Sequence, residues 1–403
     1  MDIIKDSKFK FIESRKIAFA CSAILLLAGI ISLIVKGGPS YSIDFEGGTL
    51  IQLKFLNPVD ISVLRHSLEG IGYGGATIQG FGSPRDVLIR VKDVEKSQAS
   101  GDSLVPKLVG VVRAAFDKQI GEGRTIDINA ISPKELALHL KDLKAFKNKR
   151  EGAETLAGTI VERRNALGGL FPNVDALLSV PGIPAEAVDY FRDKAYASGL
   201  TVVRQEMVGP KVGKDLRGKA LLSIFWAVLG ILIYVSLRFR FQFAVAAVIA
   251  LIHDVGITVG LFSIFNREFS LTIVAALLTI VGYSLNDTIV VYDRIRENSK
   301  SMRSLPYAQQ LNASINLTLS RTLLTSFTTF IVVLALFVLG GEVIRDFALA
   351  LMIGVIVGTY SSIFVASPIV YDWEMYSRSR QKRKHIGSGK PAVQAAGSPK
   401  RRR

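Results

Sequence analysis

Six stretches of this chain are too long and too apolar for the core of an ordinary soluble domain: about 17–36, 218–237, 243–264, 270–292, 321–340 and 346–368. A hydrocarbon core about 30 Å thick is crossed by roughly 20 helical residues. Inside it every backbone N–H and C=O must find a partner within the protein, which leaves helices or closed barrels. Continuous apolar runs of this length predict helices. The first, "IAFACSAILLLAGIISLIV", is longer than the apolar region of a usual signal peptide, and no small-x-small cleavage site follows it in "KGGPSYS". It reads as an uncleaved anchor.

Charge then orients the spans. Lys and Arg total 50 against 34 Asp and Glu, a net +16. Lys5, Lys8, Lys10, Arg15 and Lys16 precede the first span, Arg238 and Arg240 follow the second, and Arg294, Arg296, Lys300 and Arg303 follow the fourth. The two short loops on the other side carry only Arg267 and Arg345. Positive residues collect on cytoplasmic loops, so both termini are expected in the cytoplasm, with 1–16 and a 293–320 loop there and 38–216 outside. The tail, 372–403, ends in "SPKRRR" and reads as basic and disordered. It serves as an orientation signal, with attraction to anionic lipid or RNA as the other reading.

Residues 38–216 alternate strand and helix patterns. "TLIQLKF" (49–55) reads as a strand and "DISVLRHSLEGIG" (60–72) as a helix with a glycine stop. "ATIQGF" and "DVLIRV" read as strands around the turn "GSPR", and 103–120 as a second helix. One more strand would complete a β-α-β-β-α-β, ferredoxin-like unit. "RTIDINA" (124–130) and "TVVRQEMVG" (201–209) compete for that place. The stretch between them, 131–199, is mostly helical. Its "LLSVPGIPAEAVDYFRD" looks like a packed helical hairpin rather than a nucleic-acid module. Just after the first span, "YSIDFEGGTL" alternates Asp44 and Glu46 with Ile43 and Phe45, as on a half-exposed strand. Gly47 and Gly48 there permit a bend or a close backbone approach.

Ionisable groups inside spans are costly and mark pathways, relays or interhelical pairs. Asp287 ranks first. Thr279, Tyr283 and Asp287 recur every four residues and so share a helix face, a hydroxyl stripe leading to a carboxylate. A carboxyl group in a poorly hydrated place can exchange a proton near neutral pH; the other reading is an ion pair that holds helices in register. Arg321 lies at a depth that permits a pair with Asp287, or else marks the interface. Asp254 sits near the middle of span three. His253 is adjacent, but neighbours on a helix point in different directions, so Asp254 is either a packing contact or a relay. Gly256 and Gly260, and Gly354 and Gly358, have the spacing that lets membrane helices approach closely. The only cysteine is Cys21, so no disulfide forms within the chain, and the four histidines are scattered. No phosphate loop, nucleophile elbow or zinc signature appears. No catalytic residue, metal or cofactor is expected.

Several motifs together resemble SecF, of the SecD/SecF family of protein-export membrane proteins. They are "IDFEGGTL" after span one, "VGPKVGKDLRGKA" entering span two, "ALIHDVGITVG" in span three, "AALLTIVGYSLNDTIVVYDRIREN" in span four and "NLTLSRTLLTSFTT" entering span five. The resemblance implies a six-span half of a transporter related to the RND exporters, in a bacterial inner membrane. It implies SecD as partner and service to the SecYEG channel, pulling secreted polypeptides outward at a late stage on the proton gradient. Asp287 and Arg321 match the family's proton-relay carboxylate and arginine, and Asn286 a neighbouring polar group. It favours "TVVRQEMVG" as the closing strand and makes 121–199 an insertion. Two other readings stay open: an RND-like exporter of small molecules or lipids, and a purely structural subunit. The latter would tolerate Asp287→Asn.

Overall fold

The computed structural model describes residues 8–92, 104–116, 124–147 and 150–387. The chain divides into two compact units, one formed by residues 1–40 with 220–403 and the other by 41–219. Residues 1–7, the expected end of the second external helix at 117–120 and the last part of the tail, 388–403, lie outside the described residues.

In the 41–219 unit, β1 (Gly48–Phe55), β2 (Thr77–Phe81), β3 (Ser83–Val91) and β6 (Leu200–Val208) form one antiparallel sheet in the order β2-β3-β1-β6. Residues alternate faces along a strand, so Ile51, Leu53 and Phe55 of β1 share one face. They pack with Ile89 of β3, with Leu64 and Leu68 of helix α1 (Ile61–Glu69), and with Leu108 and Val112 of helix α2 (Leu104–Phe116). This is the β-α-β-β-α-β pattern, closed by "TVVRQEMVG". The turn between β2 and β3 is tighter than "GSPR" suggested: Gly82 alone turns the chain at φ 74°, and β3 starts at Ser83.

The other candidate strand takes a different role. Within "RTIDINA", β4 (Ile126–Asp127) pairs in parallel with β5 (Ala195–Tyr196) and opens a second core. That core gathers Leu136 and Leu140 of α3 (Pro133–Lys141), Ala157 and Ile160 of α4 (Arg150–Ala166), and Phe191 of α5 (Ala185–Lys194). Asn129, almost fully buried, ties it together. Its amide donates to the carbonyls of Phe171 and Ser198 and accepts from the Phe171 N–H, all within 3.0 Å. Burial also pushes the Arg164 guanidinium below its usual range, while it donates to the carbonyls of Ile128 and Ile131.

"YSIDFEGGTL" is not a continuous strand. Ile43–Glu46 forms one helical turn, because the Ser42 side chain accepts the Asp44 N–H and Ile43 and Phe45 are both buried. Two glycines then reverse the chain. At Gly48, φ is 131° and an added Cβ would lie 2.5 Å from the Val91 carbonyl oxygen; at Gly47, φ is 78° and a Cβ would meet Pro210 at 2.8 Å. Gly213 returns the contact, its missing Cβ 2.9 Å from the Gly47 nitrogen. Backbone strain and overpacking each cost about 1–3 kcal/mol, so Gly48→Val is expected to destabilise this unit by about 2–6 kcal/mol. Limited proteolysis of the full chain in membranes would then release fragments of this unit that the parent chain does not.

Among the described residues, six helices are long and apolar enough to cross a membrane: Arg15–Val35, Pro210–Arg238, Phe241–Ile264, Leu271–Ser301, Tyr307–Leu339 and Ile344–Gln381. Several outrun the apolar windows. Span four continues past residue 292 to Ser301, and span five starts at Tyr307 rather than 321. The expected 293–320 loop shrinks to Met302–Pro306. Charged residues end an apolar run without ending an amphipathic helix, and here the extensions bury Ile295, Leu311 and Ile315 and join Asn298 to Ser314 at 2.9 Å. Span six is also longer than 346–368. It runs from Gly341 to Ser361, widens into a π turn at Ser362–Ala366, and continues from Ser367 to Gly387, so 372–387 is helix rather than disordered tail. Pro368 explains the π turn: a proline inside a helix lacks an N–H and clashes with the carbonyl one turn back, and a widened turn relieves both. The Ser367 hydroxyl then reaches the Ser362 carbonyl at 2.9 Å.

Glycines set the helix spacing. Gly29 of span one and Gly260 of span three touch backbone to backbone; a Cβ on either would lie 2.7–2.8 Å from the other's Cα. Gly256 receives Leu26, Gly354 receives Ile280 of span four, and Gly358 receives Ser284. Both glycine pairs therefore seat neighbouring helices. Beside the ends of spans five and six that lie near the termini, residues 9–15 form a strap. Asn316 exchanges two hydrogen bonds with the backbone of Phe9, Asn312 accepts the Ile12 N–H, and Arg15 pairs with Asp372 at 3.1 Å.

Candidate functional site

The interior of the helical unit holds two carboxyl groups, Asp254 and Asp287, both buried. Their surroundings differ. Asp254 is wholly enclosed and receives Ser284 of span four at 2.6 Å, Ser361 of span six at 2.7 Å and the His253 Nδ1 at 2.8 Å. The i, i+1 geometry did not keep His253 and Asp254 apart, contrary to the expectation from helix periodicity. An imidazole is long enough to fold back along the helix, and its Nε2 is held at 2.9 Å by the Ser22 hydroxyl of span one. Ser22 in turn contacts the Tyr360 hydroxyl at 3.1 Å, and Tyr360 donates to the Ala18 carbonyl. One network thus ties spans one, three, four and six.

A serine, a histidine and an aspartate in this sequence of bonds also make a nucleophilic triad. Here Ser22 is 5% exposed and lies in mid-helix. The backbone N–H groups beside it are already bonded, so they cannot form an oxyanion hole. The arrangement holds helices and hydrogen-bonded protons in place and has no provision for acyl transfer.

Asp287 is held loosely. Among the described residues its one hydrogen bond comes from Ser326 of span five, at 3.4 Å, and Ser326 is itself reached by Thr359 of span six at 2.6 Å. Arg321 lies within electrostatic reach, but no carboxylate–guanidinium contact within 4.0 Å joins the two. Arg321 is exposed on the outer side of span five. The stripe read from the sequence separates as well. Thr279 is exposed and spends its hydroxyl on the Ala275 carbonyl. Asn286 is exposed and joins neither network among the described residues. Tyr283 is half-buried, and its hydroxyl is buried without a hydrogen-bond partner; Thr322, one turn before Ser326, has another. Buried polar atoms without partners are rare in folded proteins.

The two networks lie close together. Ser284, which holds Asp254, precedes Asp287 by three residues, about 4.5 Å along span four. On span six, Thr359 serves the Asp287 group and Ser361 serves Asp254, immediately before the π turn. Single-turn π bulges gather at functional positions. A cavity of about 800 Å³ opens beside this seam, with Ser326 and Thr359 on an otherwise largely aromatic and aliphatic wall that includes Phe327 and Phe364. Ser22, Ser284, Ser326, Thr359 and Ser361 were not singled out from the sequence. The available signal was the run of hydroxyl residues "TYSS" (359–362) in an apolar span.

The "YSIDFEGGTL" motif forms no such cluster. Gly47 and Gly48 make the reversal described above, Asp44 stands half-buried in the helical turn, and Glu46 pairs with Lys92 at 2.7 Å. No group of three or more metal-ligating side chains occurs among the described residues.

Comparison with known proteins assigns both regions. The family model "Protein export membrane protein SecD/SecF, C-terminal" matches residues 191–376, and the "SecD/SecF GG Motif" matches 31–59. The chain is 37% identical over 388 residues to protein translocase subunit SecF of Koribacter versatilis, covering 94% of this chain and 95% of that one. It is 39% identical over 377 residues to SecF of Magnetococcus marinus, covering 94% and 96%. The crystal structure of SecDF, a translocon-associated membrane protein from Thermus thermophilus, superposes with a TM-score of 0.62 at 34% identity. That match covers 92% of this chain and 39% of the SecDF chain. With six apolar helices, both motifs and 37–39% identity to SecF proteins over nearly the whole chain, the chain belongs to the SecF family of protein translocase subunits, multi-pass membrane proteins of protein transport.

Proposed function

We propose that this chain is an ion-coupled accessory subunit of protein export. It acts with a SecD partner at the SecYEG channel, and uses the proton gradient to help draw secreted polypeptides outward at a late stage. The match to the T. thermophilus SecDF, whose chain is much longer, supports a SecD-like partner that supplies the other half. Lys and Arg clustered at one end of the spans support an orientation with both termini in the cytoplasm.

The observation that carries the proposal is the contrast between the two carboxyl groups. Asp254 is saturated with donors and acts as a fixed hub. Asp287 has one long hydrogen bond, a guanidinium within electrostatic reach, unpartnered hydroxyls one turn away and a cavity beside its partners. Protonation of Asp287 removes its attraction to Arg321, and deprotonation restores it. A charge change of this kind biases a helix packing that has two arrangements. Spans four and six meet closely at Gly354 and Gly358, where Ile280 and Ser284 of span four are seated, so a shift of one helix is felt by the other.

The test uses inner-membrane vesicles that import a secreted precursor. With ATP supplied, collapse of the proton gradient alone is expected to abolish the stimulation that this subunit and its partner give. Collapse of a sodium gradient is expected to leave it intact. Stimulation that survives loss of the proton gradient would overturn proton coupling, and dependence on sodium would reassign the ion.

A further inference from the structure

At the end of the helical unit nearest the termini, a cavity of about 510 Å³ has five arginines in its wall: Arg238, Arg240, Arg296, Arg303 and Arg378. They come from three separate places in the chain: the turn after span two, the end of span four with the turn beyond it, and the extension of span six. Their number far exceeds the local acid. Glu374 serves both Arg240 at 3.5 Å and Arg378 at 3.0 Å, and Asp293 serves Arg238 at 3.0 Å. Two carboxylates against five guanidinium groups leave three positive charges in one cavity. Arg296 and Arg303 are exposed and form no ion pair among the described residues, so their donors are free to face a ligand.

The rest of the wall is apolar and aromatic. Phe239, Phe243 and Tyr307 contribute to it, and Arg378 stacks over Tyr307 with 5.3 Å to the ring centre. The volume falls within the roughly 300–1,000 Å³ usual for small-ligand sites. Guanidinium groups recognise phosphate oxygens through paired N–H donors. An aromatic floor beneath them suits a ligand that is charged at one end and apolar at the other. Arg238 and Arg240 lie in the short turn between spans two and three, which places the cavity at the membrane surface rather than away from it.

The geometry points to a binding site for the phosphodiester headgroup of an anionic phospholipid between the ends of spans two, three, four, five and six. The headgroup phosphate bonds to Arg296 and Arg303, and the glycerol and first methylenes lie against Phe239, Phe243 and Tyr307. Basic pockets between membrane helices hold such headgroups through this same chemistry. Because the ligand touches five spans at once, its binding fastens the ends of helices that carry the carboxyl networks deeper in the bundle.

The experiment is native mass spectrometry of the detergent-purified full chain incubated with phosphatidylglycerol, phosphatidylethanolamine or soluble glycerol phosphate. The chain is expected to retain phosphatidylglycerol about fivefold or more over phosphatidylethanolamine. The double substitution Arg296→Gln with Arg303→Gln is expected to reduce that retention at least fivefold, since neither side chain supports the fold through an ion pair. Removal of the same charge from the external unit, Arg65→Gln with Arg85→Gln, should leave retention unchanged. Equal retention by the Arg296/Arg303 variant and the parent chain, or equal retention of the two lipids, would overturn the site. Glycerol phosphate displacing phosphatidylglycerol at equal concentration would overturn the lipid assignment and make the ligand a soluble phosphate.

Discussion

Cells whose only copy carries Asp287→Asn are expected to export a secreted protein at least tenfold more slowly in a pulse-chase, while the variant accumulates in the membrane at the parent level. The two halves of this result have separate causes. Asn is nearly the same size as Asp and can keep the one contact, the 3.4 Å bond from Ser326. A typical hydrogen bond within a protein contributes only about 0.5–1.5 kcal/mol, and Asn keeps this one, so folding and abundance should hold. What Asn cannot do is take up and release a proton. Removing a group that transfers protons commonly costs on the order of 10²–10⁴ in rate, and part of that is hidden when other steps limit export. Normal export in this strain would remove ion coupling through Asp287 and leave the structural reading. Low abundance would mean that the carboxylate also supports the fold, contrary to its sparse contacts.

Asp254→Leu is expected to fail in the opposite way, with the variant lost from the membrane before its export activity can be measured. Leucine leaves the Ser284 hydroxyl and the His253 Nδ1 without the acceptor they now share, in a site with no solvent exposure. Each buried polar group left unsatisfied costs about 1–3 kcal/mol. Ser361 is spared part of this, because it also reaches the Gly358 carbonyl at 3.1 Å. The two together, about 2–6 kcal/mol, reach the lower end of the whole stability of an ordinary domain. Asp254→Asn keeps an acceptor and the shape of the site, and its cost should fall to about 1–2 kcal/mol. Thermal unfolding in detergent, followed by the fraction that stays monodisperse, would rank parent, Asn and Leu in that order. A fully stable Leu variant would show that Ser22, His253, Ser284 and Ser361 rearrange without their hub.

Much of the architecture was legible because its causes are local or collective along the chain. Continuous apolar length dictates a membrane helix whatever packs beside it, so six spans and a unit of mixed strands and helices between the first and second follow from the order of residues. Two glycines in succession after "IDFE" mark a place where the backbone turns and comes close to another segment. Glycines four apart in span three and in span six mark faces that seat another helix. Asp287 stood out because a carboxylate within an apolar run needs a reason.

What the tertiary structure decided is which side chains meet. Periodicity placed Thr279, Tyr283 and Asp287 on one face, but a shared helix face does not say what each side chain will meet. Asp287 found Ser326, Thr279 turned to its own backbone, and Arg321 stayed outside at a distance. His253 and Asp254 diverge on an ideal helix and are joined only because Ser22 of span one pins the far side of the imidazole. Helix ends were likewise set by packing. Charged residues at 293–300 and 371–381 end the apolar signal, but buried contacts such as Asn298 with Ser314, and ion pairs such as Arg378 with Glu374, carry the helices further. The choice of "TVVRQEMVG" over "RTIDINA" to complete the sheet was decided by pairing with β1 across the intervening helical core. Sequence determines what each segment can be, because backbone satisfaction and burial act on every residue in turn. The partners of its polar groups depend on distances between segments far apart in the chain, and those exist only once the helices have packed.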